Sequence, residues 1–284
     1  MIAMKHNLLR LSACIFLLLS ACDELETPPT KNFVVEGYIT AGEPVNDLLI
    51  KETAPLIADS ILEVPIGRAE VRLQRAGGES LLLDYQPATG RYATPAGSDF
   101  PILSDEEYQL EVSLDGETAT ASTIVPEAPT GLALSDSVLI IPPLTLSFAL
   151  REQIETLFDE QQATLTWNGP PDRYYFVVIE NRVETLDPIL PEGVPQDGQD
   201  LLSSFRFISE PSQQRSFQVI AIAMETYGLH VATVYSVNQE YVDLFNSAAQ
   251  DSRDLNEPPS NISNGLGIFT AFAVDSIAFE VRRR

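Results

Sequence analysis

Cys22 closes an apolar run, Leu11 to Ala21, and follows Leu19-Ser20-Ala21. Lys5, His6 and Arg10 precede that run without any acidic residue. A basic start followed by a short apolar stretch is an export signal, and roughly 11 apolar residues are too few to cross a bilayer as a helix. Two small residues before a thiol fit the cleft of a peptidase that cuts ahead of an acylated cysteine. Cys22 is therefore the expected lipidation site, with residues 1–21 as the signal peptide. Cys14 follows Leu11-Ser12-Ala13 in the same way, but Lys5 and Arg10 interrupt the apolar stretch it would need, so it is expected to leave with the signal.

Asp23, Glu24 and Glu26 follow Cys22 directly. This acidic cluster resembles the signal that sends lipoproteins of Bacteroidetes-type bacteria to the outer face of the outer membrane. Residues 22–31, with Pro28 and Pro29, read as an acylated tether that spaces the body from the membrane.

Other chemistry is sparse. Beyond the signal the chain holds one histidine, His230, and one cysteine, already committed to lipid. A Cys/His metal site, a disulfide framework and thiol catalysis all lack their residues. No G-x-S-x-G elbow, phosphate-cradling loop or dinucleotide fingerprint occurs. His230 sits in an alternating, strand-like run, the setting of a structural histidine. Acid pairs are too abundant for their spacing to identify a glycosidase. Asp197, Gly198 and Asp200 form an oxygen-rich loop that could suit calcium without matching an EF-hand. No enzyme, no cofactor and no metal centre is expected.

The chain has 284 residues, with 17 Lys plus Arg against 41 Asp plus Glu and a net charge of −24. Removing Lys5 and Arg10 with the signal leaves 15 basic residues, a net −26. A polyanionic partner would be repelled, so nucleic acid is excluded. At 44% hydrophobic the body is globular, not disordered.

Period-two alternation dominates that body. Val71 and Leu73 alternate with Arg72 and Gln74, and Tyr108, Leu110, Val112 and Leu114 alternate with Gln109, Glu111 and Ser113. Each run predicts a strand with one buried and one wet face. Asp115-Gly116 predicts a tight hairpin, and Pro87 to Gly90 a turn between strands at Leu81–Tyr85 and Arg91–Thr94. About seven strands at 8–12-residue spacing in residues 32–126 predict an antiparallel sandwich. Pro126, Pro129 and Gly131 mark a boundary before residues 127–284. That half reads as strands at Ala163–Trp167, Tyr174–Ile179, Phe205–Ile208, Phe217–Met224, His230–Tyr235 and Ile277–Val281. Arg151–Gln162 and Pro188–Leu201 read as loop insertions, the first with a helical turn. One α-helix is expected near residues 237–251, from the spacing of Tyr241, Leu244, Phe245 and Ala248 and a capping-box pair, Ser236 and Gln239. The fold class is all-β: two antiparallel β-sandwich-like domains, the second carrying that helix.

Three stretches in order carry a family resemblance. They are Phe33-Val34-Val35-Glu36-Gly37-Tyr38-Ile39-Thr40, then Trp167-Asn168-Gly169-Pro170-Pro171 leading into Tyr174-Tyr175-Phe176, then Pro258-Pro259-Ser260-Asn261-Ile262-Ser263-Asn264-Gly265-Leu266-Gly267-Ile268-Phe269. With the lipidation motif they resemble the Bacteroidetes outer-membrane lipoproteins grouped as domain of unknown function 4249. The chain departs from that pattern at Asn168-Gly169, where an acid usually precedes the proline pair, and at Thr270. The resemblance implies an immunoglobulin- or transthyretin-like first domain and members encoded beside TonB-dependent transporters. It brings no catalytic residues.

The residues themselves allow a structural reading of these motifs: Gly37 as a bulge or close approach, Gly265 and Gly267 as a turn before the last strand. The loop carrying Asn261, Asn264, Gly265, Gly267 and Phe269 is the candidate binding segment, together with Pro188–Leu201. The expected function is that of a non-enzymatic accessory or binding lipoprotein, held to the outer membrane by its lipid, facing the exterior and working with a TonB-dependent β-barrel transporter. The alternative is a free-standing structural or adhesive surface lipoprotein.

Overall fold

The computed structural model describes residues 33–52, 64–191, 206–248 and 259–284. Cys22, Asp23, Glu24, Glu26 and the Asp197–Asp200 stretch lie outside them, as does most of the Pro188–Leu201 loop. The first half of the body contributes β1 (Phe33–Thr40), β2 (Asp47–Glu52), β3 (Glu70–Arg75), β4 (Ser80–Leu82), β5 (Asp84–Gln86), β6 (Arg91–Ala93), β7 (Glu107–Leu114) and β8 (Glu117–Ile124). The second half adds β9 (Thr130–Leu134), β10 (Val138–Ile141), α1 (Leu150–Glu160), β11 (Gln162–Asn168), β12 (Tyr174–Asn181), β13 (Arg206–Ile208), β14 (Ser216–Ile220), β15 (Gly228–Val237), α2 (Gln239–Ala248) and β16 (Leu266–Arg283).

Alternation decides the faces. In β1 the burial alternates strictly, with Phe33, Val35 and Ile39 inward. Val71 and Leu73, Tyr108, Leu110 and Val112, and Ala119 and Ala121 face them from the sheet ordered β4-β3-β7-β8. These two layers close the first core. Asp115 (φ 53°) and Gly116 (φ 90°) form the two-residue hairpin that pairs Leu114 with Glu117. The Tyr108 hydroxyl donates to the Pro101 carbonyl at 3.0 Å and accepts from the Leu103 amide at 2.8 Å. A strand-entry tyrosine tied to upstream backbone is the corner that immunoglobulin-like sandwiches use to lock a crossing.

In the second half the sheet β14-β11-β9 covers β12, β15 and the end of β16, and Leu165, Trp167, Val177, Val219, Val234 and Phe279 fill the space between. β12 is buried on both faces. Tyr175, Val177 and Ile179 enter this core, while Phe176 and Val178 pack outward beneath α2. Phe176 stacks on Tyr235 at 4.6 Å and on Tyr241 of α2 at 5.3 Å.

One strand serves both halves. β16 runs for 18 residues. Its beginning pairs in parallel with β1, from Val34↔Leu266 to Thr40↔Phe272. Its remainder pairs antiparallel with β15, and its end pairs in parallel with β10. A side-chain clamp reinforces the join. Asn238 donates to Thr123 Oγ1 at 3.0 Å and to the Ile124 carbonyl at 2.7 Å, and accepts from Arg173 at 3.0 Å. The Glu240 carboxylate accepts from Thr123 at 2.9 Å and Thr270 at 3.2 Å.

Several local expectations change. Leu81–Tyr85 is two strands in two sheets: β4 pairs with β3 and β5 with β6, the chain crossing over at Leu83. Arg151–Gln162 holds a full helix, because Leu150, Ile154 and Leu157 fall on one stripe and pack against the second core. The strand through Phe217 stops at Ile220, and Ala221–Met224 coils into a 3-10 turn ended by Glu225 at φ 61°. α2 covers Gln239–Ala248, but the Ser236–Gln239 capping box does not form: Ser236 is a buried strand residue whose hydroxyl has no partner among the described residues. β9 and β10 carried no clear signal, β9 because Gly131 sits inside it at φ 62°.

Candidate functional site

The segment Asn261–Phe269 turns the chain from the edge of β8 into β16. Ser263 pairs with Thr120 through two backbone bonds of 2.8 and 3.1 Å, so the segment adds a short rung to β8. Asn264, at φ 59°, carries the turn and reaches the Thr118 carbonyl at 3.4 Å. Ile262 enters the first core. The Thr118 and Ile124 carbonyls and the Thr120 backbone of β8 are thus engaged by Asn264, Asn238 and Ser263, which blunts an edge that could recruit foreign strands.

The expected site residues divide. Phe269 is fully buried in the first core, and Asn261 spends its amide on the Phe269 backbone, donating at 2.7 Å and accepting at 2.9 Å. Gly265 is buried, and a side chain there would press on Ile262 at 2.9 Å. It is not in the left-handed region; Asn264 is. Gly267 lies inside β16, not in a turn, at φ 107°, where an added Cβ would fall on the Val35 carbonyl oxygen. Gly37 is a close approach: the Phe269 ring lies 3.0 Å from where a Cβ would sit. Asn264 and Ser263 stay exposed.

Two concavities flank this segment, on opposite outer faces. The first, about 480 Å³, lies on the wet face of β3, β7 and β8, with Asn261 and Ser263 as its wall. Arg72, Gln109, Glu111 and Ser122 supply its floor. They are the polar half of the alternating runs, held at fixed spacing by strands whose other half is core. The lining balances one guanidinium against one carboxylate and otherwise offers amides and hydroxyls, each able to donate and accept. Arg72 also bonds Glu70 at 2.8 Å. Period-two alternation places these residues on the wet face; their gathering around the Asn261 segment depends on the pairing of Thr120 with Ser263, residues far too distant in sequence for pattern reading to connect. The second concavity, about 270 Å³, is more apolar and lies between α2 and the starts of β1 and β16.

His230 lies in neither. It is fully buried in the second core, stacked on Phe279 at 5.3 Å, with Nδ1 3.1 Å from the Gly228 carbonyl and Nε2 3.4 Å from Thr226 Oγ1. Burial pushes its pKa below the usual imidazole value. Among the described residues no group of three or more His, Cys, Asp or Glu side chains is gathered for a metal ion.

Residues 23–278 match the family described as "Domain of unknown function (DUF4249)". No curated protein matches the chain. Among solved structures, a run of titin domains aligns at 11% identity over 87% of this chain and 62% of that one, with a TM-score of 0.21. The FN1–FN3 domains of chicken CNTN1 align at 10% identity over 88% and 65%, with a TM-score of 0.23. A bacterial ice-binding adhesin aligns at 11% identity over 89% and 64%, with a TM-score of 0.20. The chain spans less than two thirds of each.

Proposed function

The chain belongs to the DUF4249 family, and from that premise we propose that it is a non-enzymatic binding lipoprotein of the outer membrane. In this reading Cys22 carries the lipid, Asp23, Glu24 and Glu26 direct the body to the cell exterior, and the body serves a TonB-dependent β-barrel transporter as an accessory subunit. The observation that carries it is the groove walled by Asn261 and Ser263. Its polar side chains stand on strands already fixed by core packing, so a partner's loop or a cargo meets preorganised donors and acceptors. The lipidation motif and short tether would hold the body at the membrane. A surface charge near −26 favours a cationic patch and makes association weaken with salt.

The test is affinity purification of the lipidated protein from its native outer membrane, beside a Ser122→Arg form that fills the groove. A barrel protein that accompanies the wild type and is lost with Ser122→Arg supports the accessory role. A barrel that accompanies both forms removes the groove from the interface. No barrel with either returns the protein to the free-standing structural or adhesive reading.

A further inference from the structure

We infer that the cavity between α2 and the β1–β16 pair is a binding site for a compact apolar molecule that carries a single hydroxyl. Its walls are Val34, Leu266, Ile268 and, from α2, Leu244. β1 runs parallel to β16 here, with Val34 opposite Leu266 and Glu36 opposite Ile268. One end is therefore wholly apolar, and the other is set by Glu36 and Tyr38, two strand positions further along the same face.

These two side chains define the head group. Glu36 is paired with Lys51 at 2.6 Å, and Lys51 is buried to 8% exposure. The carboxylate charge is thus already answered inside the protein, and Glu36 keeps about a third of its side chain exposed to accept one more bond. The Tyr38 hydroxyl has no hydrogen-bond partner among the described residues, while its ring is fixed by stacking on Phe272 at 5.8 Å. Burial, then the neighbouring Glu36 charge, pushes the Tyr38 pKa up to about 12, so the phenol keeps its proton and can donate. An alcohol is the head that donates to Glu36 and accepts from Tyr38 together. A carboxylate has no proton to give Glu36 and would set its own charge against the apolar walls. At about 270 Å³ the cavity is nearly twice the ~150 Å³ that holds one benzene ring in an engineered apolar cavity, which sizes the body at about two fused rings. Apolar walls with a few convergent polar groups are the usual composition of small-ligand sites.

The probe is 2-naphthol, titrated by its own fluorescence into the full chain in its Cys22→Ser form, with naphthalene and 2-naphthoate alongside. Saturable 2-naphthol binding is expected, about fivefold tighter than naphthalene for the hydroxyl, with 2-naphthoate excluded. Leu244→Trp should abolish binding of both neutral probes. Tyr38→Phe should keep naphthalene binding and shrink the preference for 2-naphthol. The inference is overturned by no saturable binding to the wild type, by binding that survives Leu244→Trp, or by a preference untouched in Tyr38→Phe. None of these outcomes depends on the transporter or on the groove at Ser122.

Discussion

The Asn261 side chain and the Phe269 backbone hold each other through two hydrogen bonds, Nδ2 donating to the carbonyl at 2.7 Å and the amide donating to Oδ1 at 2.9 Å. One side chain thereby replaces a strand neighbour for the opening of β16. Asn261→Ala should cost about 2 kcal/mol, because it leaves the buried Phe269 amide and carbonyl without partners. Urea unfolding checks it; a loss below measurement error would mean solvent reaches Phe269.

Gly267→Ala should be far more severe. The residue sits at φ 107° with the Val35 carbonyl where a Cβ would go, so a substitution must break the β1–β16 pairing. A loss of about 3 kcal/mol or more, or insoluble protein, is expected from strain and clash combined. Gly42→Ala, also at positive φ but in open space, is the control and should cost about 1 kcal/mol.

Stability should fall in mild acid through His230. Its folded pKa is lowered by burial, while the unfolded imidazole titrates near ~6.5. The unfolded chain then binds the extra proton, so stability is full above that pH and declines as pH drops from about 6.5 toward the folded pKa. Urea midpoints at pH 7.5 and 5.5 should differ for the wild type and converge in His230→Gln. An equal slope in both proteins would assign the acid sensitivity elsewhere.

Cys22→Ser should release the protein from membranes, since an acyl anchor outweighs any surface attraction of so acidic a chain. Retention in the membrane fraction after a salt wash would refute the lipid reading.

Changing Asp23, Glu24 and Glu26 together to Ala should leave the lipidated protein facing the periplasm. Protease shaving of intact cells reports it: cleavage equal to wild type would show that the acids do not direct display.

Local pattern made much of this architecture readable. Alternation in Tyr108–Leu114 and the Asp115-Gly116 pair define a hairpin using only neighbours in sequence, and both formed as expected. What stayed hidden depended on distant partners. Gly267 looked like a turn residue because nothing nearby reveals the Val35 carbonyl lying against it. Ser236 had capping-box spacing, but β16 pairs with Val237 and Ser236 and draws both into β15. The groove residues Gln109 and Glu111 were visible as a wet face; the wall that turns that face into a cleft arrives from Asn261, across the whole length of the second half. Phe269 reads from the sequence as a loop aromatic and is a core residue, since its ring packs over Gly37 of β1 beside Leu48 of β2.

The parallel pairing of β1 with β16 also sets a timetable. The first core is missing Ile262, Phe269 and Ala271 until nearly the last residues of the chain are made, so β1 waits without its neighbour while everything between them is synthesised. Contacts this far apart in sequence form slowly. A chain that cannot complete even its first half early stays open until β16 has been made, and it acquires its final shape all at once.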